Sequence, residues 1–115
     1  METKRRDGSG LGYGKLMRID CPFADDSYIE LPDTWKGIHA LRHDEAIEKA
    51  QKANMPETWR SFSVSMALLD NWQLPGLNGN PDKWDLAELD LRVMAWVKNV
   101  TLPAYYANFT LPKNS

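Results

Sequence analysis

His39 and His43 are the first residues whose type and spacing could support chemistry. Four positions apart on a helix, both imidazoles could face one metal ion, with Asp44 and Glu48 nearby. A closed zinc site needs more ligands than this, and neither a Cys nor a third His stands with the pair. Two histidines on a surface helix is the simpler reading. Asn78, Asn80 and Asp82 imitate the start of a calcium loop, but such a loop requires Gly where Lys83 stands and Glu where Leu89 stands. Turn chemistry explains them better. Gly8, Gly10, Gly12 and Gly14 lack both the Gly-Lys-Ser/Thr ending and the preceding strand of a phosphate loop. Asn99-Val100-Thr101 and Asn108-Phe109-Thr110 match the glycosylation acceptor pattern, which has meaning only in a secreted chain. The sole cysteine, Cys21, precedes Pro22, and no base is nominated to activate it. No set of residues specifies catalysis. The expectation is a protein that is not an enzyme and that uses no metal or cofactor.

Apolar surface is what remains. Five Trp in 115 residues, with three Phe and four Tyr, exceed what a thin helical core obviously needs. Trp59, Phe62 and Trp96 fall at helical spacing and are assigned to the core. Trp72, Leu74, Leu77 and Trp84 flank a loop, and a loop cannot be deeply buried without stranding its backbone polar groups. Together with Met66 and Leu69 on the preceding helix, they form the candidate partner-binding set: Met66, Leu69, Trp72, Leu74, Leu77 and Trp84.

These residues need a scaffold. Residues 1–14 read as a flexible, Gly-rich basic tail carrying Lys4, Arg5 and Arg6. Residues 15–115 read as one compact domain, with a β-hairpin over 15–34 and a helical body over 35–115. Lys15 to Asp20 and Tyr28 to Leu31 are strand-like, and the segment between them is rich in turn residues. Asp33 or Thr34 can cap a helix running from Trp35 to Ala53, with Asn54 as its stop. Pro56-Glu57 opens a second helix, whose apolar stripe includes Trp59, Phe62, Met66 and Leu69. Pro75-Gly76 and Asn78-Gly79-Asn80-Pro81 mark the loop from Leu74 to Asp85. Asp85-Leu86-Ala87-Glu88 resembles a capping box, and Asp90 offers a second cap for a helix over Leu91 to Thr101. Pro103 then begins a separate short helical stretch. The predicted fold class is α+β: a mainly helical small domain of three to four helices with a short N-terminal β-hairpin.

Composition bounds the function. Hydrophobic residues at 43% and charged residues at 26% exclude wholesale disorder. Lys+Arg 14 against Asp+Glu 16 gives a net charge of -2, without the basic excess of a dedicated nucleic-acid binder. Pro and Gly interrupt every apolar run before it could span a bilayer. The charged start leads into Gly-rich sequence and not into an apolar leader, so a cytosolic location is expected. A lone Cys agrees with a reducing compartment.

The run Met66-Ala67-Leu68-Leu69-Asp70-Asn71-Trp72 is followed by Gln73-Leu74-Pro75-Gly76-Leu77-Asn78-Gly79-Asn80-Pro81-Asp82-Lys83-Trp84-Asp85 and a Leu-containing segment that opens the next helix. This order resembles the small tail assembly chaperones of long-tailed bacteriophages. In those proteins a helix ends near a Trp, a turn loop follows, and a short segment opens the next helix. The strand-like stretch from Phe23 to Trp35 is also similar to their N-terminal β segment. The likeness covers most of residues 16–112, and it rests on turns and helix boundaries. It departs at Leu89-Asp90, where many members have Leu-Pro, which leaves the start of the last helix open.

The resemblance implies a protein that coats apolar helical segments of the tape-measure protein and keeps them soluble. A longer frameshifted form would recruit tail-tube subunits. The site of action would be the host cell cytoplasm, and the protein would be absent from the mature virion. Self-association, as a homo-oligomer, stays open; nucleic acid and membrane are not expected partners. The competing reading is a structural virion component, such as a head-tail connector or tail-terminator subunit.

Overall fold

The computed structural model describes residues 15–110. The expectations for the 1–14 tail and for the last five residues lie outside that range. The described residues form an α+β domain of three α-helices and a three-stranded antiparallel sheet, the first two strands making an N-terminal hairpin.

Strands β1 (Leu16–Asp20) and β2 (Tyr28–Pro32) pair with Ile19 opposite Ile29 and Arg18 opposite Glu30. The connection closes through the Cys21 N–H, which donates to Ser27 O at 2.8 Å, with Asp26 in the left-handed region at φ 57°. Side chains alternate between the faces of a strand, so Ile19, Ile29 and Leu31 share the face turned to the core.

Helix α1 (Gly37–Lys52) starts later than Asp33 or Thr34 would set it. Lys36 is the N-cap residue, and its backbone N–H donates to His39 Nδ1 at 2.9 Å. The histidine thus reaches back as Glu does in a capping box. At the other end Asn54 stops the helix as expected, at φ 50°. Its N–H donates to Gln51 O and that of Met55 to Ala50 O, the paired bonds of a Schellman turn.

Helix α2 (Glu57–Ala67) buries Phe62, Val64, Ser65 and Met66. It ends before Leu69, because the following residues find sheet partners instead. Strand β3 (Asn71–Gln73) pairs with β2, placing Trp72 opposite Ile29. This strand is not apparent from sequence periodicity, being only three residues long. Pro75-Gly76 then reverses the chain, with Gly76 at φ +77°. Two single 3₁₀ turns, Pro81–Lys83 and Leu86–Glu88, cross the surface to α3 (Leu91–Tyr106). Asp85 makes no side-chain cap; the working cap is Asp90, which accepts from the Arg92 N–H at 2.8 Å. Pro103 does not begin a new helix. It lies inside α3, which continues to Tyr106 and a final 3₁₀ turn, Ala107–Phe109. Proline cannot donate to Asn99 O, but the apolar row Val93, Val97, Thr101 and Tyr105 stays buried through that point. The core lies between the sheet, α2 and α3, around Ile29, Phe62, Leu69 and Val97.

Candidate functional site

An open apolar groove of about 610 Å³ runs between α1, α2 and the 3₁₀ segment. On the α1 side it is lined by Ala46 and Ala50 of the helix and by Ala53, the residue that caps its end, with the exposed Lys49 at the mouth. Their spacing of three and four residues keeps them on one face. Alanine there leaves the space that Leu would fill, so the gap is a consequence of side-chain size. The Schellman turn carries Met55 to the end of the groove, where Ser63 Oγ lies 3.4 Å from its sulfur. Trp59 and Ala67 of α2 line the wall beside Met66, which is only 3% exposed.

Two indoles form the opposite wall. Trp72 Nε1 donates to Leu77 O at 2.8 Å, and Trp84 Nε1 donates to Asn78 O at 3.2 Å. Their rings stand edge to face, with centroids 6.0 Å apart. Each indole therefore has its one donor satisfied and its orientation fixed. At the mouth, Lys49 Nζ meets Asp82 Oδ1 at 3.2 Å, with both side chains exposed. Asp85 also lines the groove, and a second hollow as well.

Of the six candidate binding residues, Met66, Trp72 and Trp84 line this groove. Leu69, Leu74 and Leu77 do not: they are 0%, 2% and 0% exposed and belong to the core. The expectation that these three present surface is corrected by the way the loop folds back. The Pro75-Gly76 reversal brings the Leu77 N–H to Leu74 O at 3.3 Å and turns both leucines inward. Polar turn residues at the tip stay in solvent, so burying the leucines does not bury the whole loop. Conversely Trp59, assigned to the core from its spacing, is 36% exposed. Met55 and the alanine face of α1 were missed. The Ala46, Ala50 and Ala53 spacing was the available signal, but it reads equally well as a helix lying closely on its neighbour.

The remaining polar residues are engaged elsewhere. His39 and His43 do not converge on a common point. Accepting the Lys36 N–H requires a lone pair on His39 Nδ1, so its ring proton sits on Nε2, which faces Asp70 Oδ2 at 3.6 Å. Arg42 Nη1 contacts Asp70 Oδ1 at 3.0 Å. Burial pushes the Asp70 carboxyl up, but the His39 contact and the Arg42 charge together outweigh it and hold it below 3.8. His43 Nδ1 lies 2.9 Å from Asp44 Oδ1 and its Nε2 2.7 Å from the Tyr106 hydroxyl. A carboxylate only accepts, so Nδ1 donates to Asp44 and the Tyr106 hydroxyl donates to Nε2. Burial, with the Asp44 charge adding to it, raises the Tyr106 phenol above its ordinary value. Asn80 accepts from the Asp82 N–H at 3.0 Å, which is turn chemistry. A second hollow of about 420 Å³ is lined by Phe23, Pro75, Leu89 and Val93, with three carboxylates at its rim. Among the described residues no group of three or more His, Cys, Asp or Glu could hold a metal ion. Nor is any described helix long and apolar enough to cross a membrane.

Comparison with protein-family models, with curated proteins and with solved structures finds no match.

Proposed function

We propose that this protein is a non-enzymatic phage tail assembly chaperone, which covers apolar helical segments of the tape-measure protein until tail-tube subunits replace it. The observation that supports this reading is the groove: an open apolar pocket lined by Met55, Trp59, Met66, Trp72 and Trp84 together with alanines. A chaperone of this kind must hold many similar apolar faces and then release them. Methionine adapts its shape to different side chains, and fixed indoles supply contact area at little entropic cost. Alanines on the α1 side let a partner backbone approach closely, as helix-in-groove recognition requires. Many weak copies along one long helical target hold it by avidity and still dissociate one at a time. A longer frameshifted form would carry the tube-recruiting segment.

The test is co-expression with the tape-measure protein of the same phage. The expected result is a higher soluble fraction of that protein and co-purification of the two. Unchanged solubility without co-purification refutes the proposal. Mass spectrometry of purified virions addresses the structural alternative: stoichiometric amounts of this chain in particles would favour a connector or terminator role.

A further inference from the structure

We infer that the groove selects a helix whose apolar stripe is edged by lysine or arginine. The inference rests on the docking role proposed for the groove and adds the charge of the partner. The mouth carries two carboxylates, Asp82 and Asp85, and one ammonium, Lys49. Lys49 already lies on Asp82, with 76% and 70% of the two side chains exposed. Such a pair is weak in water and exchanges readily for another cation. Asp85 makes no ion pair among the described residues. Among the groove-lining residues the carboxylates therefore outnumber the ammonium by one, and a partner cation can take Asp82 over from Lys49.

The occupant is a helix because of the walls. Ala46, Ala50 and Ala53 and the α2 row of Trp59, Ser63 and Met66 line an apolar groove between two helical faces, which suits side chains projecting at helical spacing. A helix lying there places its apolar stripe against Trp59, Trp72 and Trp84. The residues flanking that stripe emerge at the mouth, beside Asp82 and Asp85. Lysine or arginine there gains Coulomb attraction, while glutamate is repelled.

Two synthetic helical peptides test this. They share one Leu/Met/Ala stripe and contain no Trp, and they differ only in lysine or glutamate flanks. Binding is followed through the intrinsic Trp fluorescence of the full chain at low ionic strength. The lysine-flanked peptide is expected to bind about tenfold more tightly, since two rim contacts of ordinary surface strength give a factor of roughly that size. Asp82→Asn with Asp85→Asn should reduce the preference to about twofold or less. A control pair of equal charge change, Asp25→Asn with Asp33→Asn, is exposed and lies outside the groove lining, and it should leave the preference intact. Equal binding of both peptides overturns the inference while leaving the groove as a docking site. So does a preference that survives in the rim variant, or one that is lost equally in the control pair. Binding of neither peptide overturns the inference together with the docking role beneath it.

Discussion

Asp70 carries its charge where its own side chain has no exposure to solvent, between His39 and Arg42 of α1. It sits in the connection between α2 and β3, immediately before β3, so these contacts tie the α2–β3 junction to the first helix. Replacing it by Asn removes the carboxylate that faces a nearly buried guanidinium. The expected cost is about 3 kcal/mol at neutral pH, read from urea denaturation. The sign of the pH dependence follows from the lowered carboxyl. A carboxyl depressed on folding contributes stability that is fully present above its unfolded value of 3.8. That contribution is lost as pH falls through the still lower folded value. The stability gap between the native chain and Asp70→Asn should therefore be constant from neutral pH down to about the unfolded value, then shrink in stronger acid. A gap that stayed constant to the lowest pH would show that Asp70 is not charged in the folded state.

At the scale of elements, the decisive piece is the segment from Asn71 to Asp90, which contains one three-residue strand and two short 3₁₀ turns. Its order comes from anchors and not from regular structure. Leu74 and Leu77 enter the core, and the two indole N–H groups clasp the carbonyls of Leu77 and Asn78. Gly76 makes the reversal, at φ +77° and with a hypothetical Cβ 3.1 Å from Leu89 Cδ2. Gly76→Ala should cost about 1–2 kcal/mol, since an L side chain in that conformation is strained even before the contact is counted. Thermal unfolding monitored by circular dichroism measures it. Turn residues between apolar ones announced this loop in the sequence. Which way its leucines point was not legible, because Leu and Trp around a turn serve a core and a binding face equally well.

For the whole molecule, the question is which apolar side chains hold the fold and which remain to meet a partner. Leu77 is fully buried whereas Trp59 is 36% exposed, and the two give opposite expectations. Leu77→Ala should destabilise by about 2–5 kcal/mol, as core truncations do. Trp59→Ala should unfold at nearly the native urea concentration, because its ring is exposed and belongs neither to the core nor to the side chains packed against it. It should nevertheless lose a large part of any tape-measure capture in pull-down, since it removes a wall of the groove. Equal loss of stability in both variants would reassign Trp59 to the core, and the groove would then lack one of its three indoles as a contact surface.

The amino-acid sequence by itself determined the α+β class, the N-terminal hairpin, the stop of α1 at Asn54 and the Asp90 cap of α3. Those features depend on local chemistry: strand and helix propensity, a left-handed residue, a side chain reaching the next N–H. Only the tertiary structure decided that β3 exists, that α3 runs through Pro103, and that Leu69, Leu74 and Leu77 turn inward while Trp59 stays at the surface. Each of these depends on a partner distant in the chain, and hydrophobicity records that a side chain leaves water without recording which neighbour receives it.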